Sequence, residues 1–206
     1  MASARLPVAV LASGSGSNLQ ALLDASARYD FGASIVAVIS DRPGARALER
    51  AASAGVPTEI VDWADYADRI SFTNAICDAA TRSGAEVLVL AGFMRVLSPV
   101  AIERFPNQIL NIHPGLLPAF PGERAVADAL EFGVKLTGVT VHFVDEKVDH
   151  GPIIYQEVVR VHPGDTVRDL HTRIQEVEHR VYPEVLDALA HGRLRVEGRQ
   201  VHWEHG

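Results

Sequence analysis

Apolar residues come in two rhythms along the first part of the chain. Short, nearly unbroken runs at Pro7–Ala12, Ile35–Ser40 and Glu86–Ala91 read as strands buried on both faces of a parallel sheet, and Thr58–Val61 as a shorter one. Between them the spacing widens to three and four. Leu19, Leu22, Leu23 and Ala27 mark one helix, and Ala45–Ala54 a second that stops at Gly55-Val56-Pro57. Tyr66, Ile70, Phe72 and Ile76 mark a third over Asp65–Thr81. Ser98-Pro99 opens a short helix to about Arg104, serine as cap and proline in the first turn, and Gln108–His113 is the next strand. This alternation predicts an α/β fold: a Rossmann-like, mostly parallel twisted sheet with helices on both faces.

After Pro121-Gly122 the pattern changes. Glu123–Phe132 reads as helix, closed by Gly133. Thr137–Asp145 and Pro152–Val161 are β-rich and joined by a charged loop, which predicts antiparallel strands in the C-terminal half. Thr166–His191 is a long helix in which Pro183 marks a kink or break. Leu194–Glu197 and Arg199–Trp203, on either side of Gly198, read as a closing hairpin. No repeat or linker interrupts the pattern, so one domain over residues 1–206 is expected.

Charge narrows the function classes. A net charge of −7 argues against a nucleic-acid or anionic-membrane partner, which would call for a basic field. It leaves room for a small anion held by backbone dipoles. The single cysteine, Cys77, has no internal partner, which fits a reducing cytoplasm, and its place in a helical pattern marks it as packing. The apolar run Val8–Ala12 is too short to span a bilayer, and no signal segment precedes it, so a cytoplasmic location is expected.

Three stretches carry chemistry. The first is Ser13-Gly14-Ser15-Gly16-Ser17-Asn18, between the first strand and the first helix. Amides at a helix N-terminus favour an anion. Leu19 stands where a dinucleotide fingerprint needs its third glycine, and no Gly-Lys-Ser/Thr ending is present, so a monophosphate suits the loop better. Plain capping is the alternative, since Ser17 with Gln20 fits a capping box. The second is Asn111-Ile112-His113-Pro114. Asn111 and His113 share one face of a strand that Pro114 ends, while Leu110 and Ile112 point the other way. An amide donor beside a titratable ring suits a reaction that builds negative charge on oxygen and moves a proton. A turn entry tied to its own backbone would carry the same residues. The third is the loop Asp145–Gly151, whose Asp145 and Asp149 could bring a carboxylate to His113, favour its imidazolium form and fix its tautomer, or could be solvated. His142 and His150 lie nearby, but the spacing matches no metal-ligand pattern, and no metal is expected.

Five segments in order, LASGSGSNLQALLDA, VLAGFMRVLSP, ILNIHPGLLPAFPG, GVTVHFVDEKVDHGPII and Glu178-His179-Arg180-Val181-Tyr182-Pro183, resemble the phosphoribosylglycinamide formyltransferase family. The resemblance runs from residue 8 to about residue 190. It implies transfer of a formyl group from 10-formyltetrahydrofolate, as co-substrate, to the amine of 5′-phosphoribosylglycinamide in purine synthesis. By position, Gly16, Ser17 and Asn18 resemble the family's phosphate loop, and Glu178 another contact to that substrate. Arg69, Met94, Arg95, Val96 and Leu97 resemble the folate side, together with Asp145, Glu146, Lys147, Val148 and Asp149, and with Asn111. Asn111, His113 and Asp149 match the catalytic trio. The chain departs from the family pattern at Glu123-Arg124-Ala125, where relatives carry histidine, and at Gly115, where serine is usual. Implied partners are the two small molecules; a homodimer is compatible with the sequence but not read from it. The nearest alternative is a formyltetrahydrofolate hydrolase, whose members usually carry an extra N-terminal domain. Methionyl-tRNA formyltransferase fits less well, for want of basic charge, and a non-catalytic nucleotide-binding module leaves Asn111, His113 and Asp149 unexplained.

Overall fold

The computed structural model describes residues 4–204. Five strands, β1 (Leu6–Leu11), β2 (Ala33–Ser40), β3 (Thr58–Ile60), β4 (Val87–Leu90) and β5 (Ile109–His113), lie parallel in the order β3-β2-β1-β4-β5. The sheet then reverses. β6 (Leu136–Phe143) runs antiparallel to β5, and β7 (Ile153–Arg160) antiparallel to β6. The hairpin β8 (Leu194–Glu197) and β9 (Gln200–Trp203) completes the edge through β9 against β7.

Six helices flank this sheet: α1 (Ser17–Ser26), α2 (Arg46–Ser53), α3 (Arg69–Arg82), α4 (Pro99–Arg104), α5 (Ala125–Phe132) and α6 (Val167–Ala190). Alternate strand residues divide between them, as a period of two requires. Val8, Val10, Val89, Leu110 and Ile112 pack with Leu19, Leu22, Ile174 and Val181 on the α1/α6 side. Ala9, Leu11, Leu88, Leu90 and Ile109 pack with Phe72, Ile76 and Ala101 on the α3/α4 side. Cys77 belongs to the second cluster, and burial pushes its thiol up to about 11, so it stays a packing group.

Two helix starts, and one expected break inside a helix, differ from expectation. The helix expected from Asp65 starts at Arg69, because Asp68 accepts the Ser71 amide at 2.8 Å and caps it there. A 3-10 turn, Trp63–Asp65, precedes it, and Ile70 is 58% exposed, outside the buried stripe. The helix expected from Glu123 begins at Ala125. Pro183 does not break α6, which runs unbroken through it. The proline leaves the carbonyl four residues back without its helical donor. The neighbouring Tyr182, fully buried, faces the carbonyls of Leu90 at 2.9 Å and Leu110 at 3.2 Å, and this anchor to β4 and β5 offsets the loss. Burial pushes its phenol well above the ordinary value, so it remains a donor.

β1 and β4 are adjacent, yet their chain continuations depart to opposite sides: toward β2 from β1, toward β5 from β4. Ligands of open α/β sheets sit at such a divergence. The loops after both strands meet there, where the Ser13 amide donates to Gly92 O at 3.1 Å and the Met94 amide to Ser13 Oγ at 2.9 Å.

Candidate active site

Asn111 and His113 project from the end of β5, and the antiparallel register sets His142 of β6 directly opposite Asn111. The loop after β6 leaves beside Ile109, where the Val144 amide bonds the Ile109 carbonyl at 2.9 Å, and then turns back. Gly151 permits the return, since a Cβ there would overlap the Phe143 carbonyl. The turn brings Asp149 over Asn111 and His113.

Asp149 Oδ2 lies 3.2 Å from His113 Nδ1 and accepts the Gly122 amide at 2.7 Å. Its Oδ1 accepts from Asn111 Nδ2 at 3.2 Å. Asp149 adopts a left-handed backbone, φ 49°, a conformation that costs a non-glycine residue about 1–2 kcal/mol and is held here by those three partners. Burial alone would raise its carboxyl; the facing His113 ring, the His142 ring 3.7 Å from Oδ1 and the Gly122 amide outweigh burial and hold it well below the ordinary carboxylate range. His113 Nε2 lies 2.9 Å from the Phe120 carbonyl. Both ring nitrogens therefore face acceptors, and only the imidazolium can donate to both. The ring is 3% exposed and forms part of the cleft floor. Gly115 gives it room: a Cβ there would stand 3.0 Å from Nε2.

The sequence placed His142 near this loop but did not show its contact with Asn111. Its Nδ1 lies 2.8 Å from the Phe143 carbonyl, which assigns the hydrogen to that nitrogen and leaves Nε2 to accept from Asn111 Nδ2 at 3.2 Å. Only strand register could have found it, because its partner lies 31 residues away. Asp145 does not reach His113; it accepts from His150 at 2.7 Å and from the Lys147 amide at 3.0 Å.

These groups floor a cleft of about 380 Å³ walled by Met94, Arg95, Val96 and Leu97 on one side and by Asp145, Glu146, Lys147 and Val148 on the other. Arg69 is exposed and outside that lining. Arg124 also turns away, paired with Asp128 at 3.2 Å and Glu131 at 2.9 Å. A larger groove, about 750 Å³, runs between α1 and α6, but it carries mixed surface charges and meets the glycine-serine loop only at Ser17.

The glycine-serine loop does not form the capping box held as the alternative reading. Gly16, not Ser17, is the N-cap of α1, with φ 70° and no side-chain capping bond, and Gln20 Nε2 bonds Asp24. A Cβ at Gly16 would come within 2.8 Å of Ala47 Cα. No side-chain bond caps the first turn of α1, and amides at a helix N-terminus are the donors an anion takes. Two unforeseen side chains brace this loop: Arg50 Nε donates to the Ser15 carbonyl at 2.9 Å, and Gln175 Nε2 to Ser17 Oγ at 3.3 Å. Asn18 Nδ2 donates to buried Glu178 at 2.9 Å. Burial raises the Glu178 carboxyl, against the opposing pull of Asn18 and of His171, His179 and His113. Among the described residues no cluster of His, Cys, Asp and Glu is placed to hold a metal ion, and no helix is long and apolar enough to cross a membrane.

A divergence crevice in a Rossmann-like sheet, floored by an amide, an imidazole and a carboxylate, is the equipment of an acyl-group transferase. Residues 6–186 match the formyl transferase family, and the chain belongs to it. It is 47% identical over 197 residues to a phosphoribosylglycinamide formyltransferase of Mycobacterium tuberculosis, covering 96% of this chain and 91% of that one. It is 43% identical to the trifunctional purine biosynthetic protein adenosine-3 of Gallus gallus, covering 97% of this chain but spanning only 20% of that protein's length. The crystal structure of glycinamide ribonucleotide transformylase 1 from Symbiobacterium toebii superposes with a TM-score of 0.96 at 48% identity, covering 98% and 96% of the two chains. A formyltetrahydrofolate deformylase from Pseudomonas syringae pv. tomato superposes at 0.90 with 28% identity, covering 98% of this chain and 66% of that one.

Proposed function

We propose that this protein transfers the formyl group of 10-formyltetrahydrofolate to the amine of 5′-phosphoribosylglycinamide, a step of purine biosynthesis. One observation carries the reading: Asp149 meets both Asn111 and His113 at 3.2 Å, on the floor of a cleft at the sheet's divergence. Family membership and the names of the full-length relatives support it.

In this mechanism the amine nitrogen attacks the formyl carbon, and the carbonyl electron pair moves onto oxygen. Asn111 donates to that oxyanion, and the His113 imidazolium, its two N–H groups held by Asp149 and the Phe120 carbonyl, faces it with its charge; a donor such as Asn111 is worth about 3 kcal/mol in the transition state. The pair then returns, the bond to the folate nitrogen breaks, and that nitrogen takes up the proton the amine gives away. His113 and Asp149 are the titratable groups at hand to relay it. Asn111 Nδ2 bonds both His142 and Asp149 at 3.2 Å, long bonds that an oxyanion can displace. Gly16, Ser17, Asn18 and Glu178 hold the ribonucleotide, and the walls 94–97 and 145–149 hold the folate; Arg69, exposed beyond the lining, meets only its outer end. Holding the two substrates end to end supplies much of the remaining rate.

The test is formyl release from 10-formyltetrahydrofolate with and without the ribonucleotide. Transfer requires the acceptor, so release should be at background without it. Equal release in both conditions would favour hydrolysis, the activity named for the deformylase relative.

A further inference from the structure

We infer that Asp41 is a positioning residue for the formyl-donor cleft, acting through Arg95 on the wall Met94–Leu97. Asp41 follows the last residue of β2 and takes no part in the cleft lining. Its side chain is 0% exposed, and Oδ2 accepts from Arg95 Nε at 2.8 Å. Arg42 is the other nearby cation, at 3.8 Å. A carboxylate this deeply buried is tolerated only when paired, so its position is tied to that of Arg95.

Arg95 is gripped from a second direction. Its guanidinium carbon lies 5.0 Å from the centre of the Trp63 ring, within cation–π range. Trp63 packs edge-on against Phe72 at 5.0 Å, and Phe72 stacks on Phe93 at 6.3 Å with the planes 6° apart. The wall is thus tethered at Met94 by Ser13 Oγ and at Ser98 by Thr73 Oγ1, with Arg95 between them. Met94 and Val96 are 55% and 47% exposed and cannot hold the wall by packing, while Leu97, next to the second tether, packs on the second cluster. The course of Met94–Val96, ahead of that packed residue, then falls to the carboxylate and the indole that grip Arg95.

This inference rests on the reading of the cleft as the folate side. The experiment measures kcat and both KM values, together with the calorimetric Kd of the folate analogue 5,8-dideazafolate, for wild type, Asp41→Asn, Arg95→Leu and the double variant. Asp41→Asn should raise the donor KM and the analogue Kd about tenfold, leaving kcat and the ribonucleotide KM within about twofold. The double variant should be no weaker than Arg95→Leu alone, because Asp41 acts through Arg95. Trp63→Leu, which leaves the ion pair buried, should raise the donor KM about threefold and stands in should Asp41→Asn not fold. Wild-type donor KM in Asp41→Asn or its stand-in, or additive losses in the double variant, would overturn the inference. A wild type that binds no analogue would overturn the cleft reading and this inference with it, whereas equal binding by wild type and Asp41→Asn would overturn this inference alone.

Discussion

His113 meets Asp149 on one nitrogen and the Phe120 carbonyl on the other, so its orientation does not depend on substrate. His113→Ala should lower turnover by about 10²–10⁴-fold while leaving the ribonucleotide Kd, measured calorimetrically, close to wild type. Near-normal turnover would remove the ring from the chemistry. Glu178 gives a prediction of opposite character. Burial raises its carboxyl in the folded state. Below about pH 4, the ordinary glutamate value, it is protonated folded or unfolded; as pH rises through the raised folded value, charging the buried group costs stability. Glu178→Gln should therefore raise Tm relative to wild type at about pH 8, with the gap closing toward about pH 4. A gap that does not change with pH would contradict this. The same variant should weaken ribonucleotide binding.

The glycine-serine loop is held by backbone as much as by side chains. Gly16 combines φ 70° with a 2.8 Å approach to Ala47 Cα for any Cβ. Gly16→Ala should cost about 1–3 kcal/mol in urea unfolding and raise the ribonucleotide KM well above any change in the folate KM. Equal effects on both would mean that the loop does not serve one substrate. The elements legible in the sequence are those whose cause is local. Unbroken apolar runs made β1, β2 and β4 visible, and the long helix expected from Thr166 starts there, with Thr166 as N-cap of a capping box with Asp169 that was not expected from the sequence. Boundaries decided by rival local bonds were misread, as at Asp68 and at Ser17. Asn111 and His113 were legible from the two-residue period of β5, and Asp149 from the family resemblance. His142, Asp41 and Arg50 were not, because each acts across 31, 54 or 35 residues, and that distance is closed by sheet register and helix packing.

The sheet is continuous from β3 to β8, with one hydrophobic cluster on each face. We expect the chain to unfold as a unit. Trp63 follows β3 near one end of the sheet and Trp203 lies in β9 near the other, so removing either indole in turn isolates a reporter for each end. Both reporters should lose fluorescence at one urea midpoint; separate midpoints would divide the chain into two cooperative units. The activity proposed here draws on both halves of this sheet. At rest the Asn111 amide is already satisfied by its own neighbours, an imidazole nitrogen and a carboxylate oxygen. On that proposal a neutral formyl oxygen is a weak rival for the amide and a fully charged one a strong rival, so the donor is engaged only as the barrier is crossed.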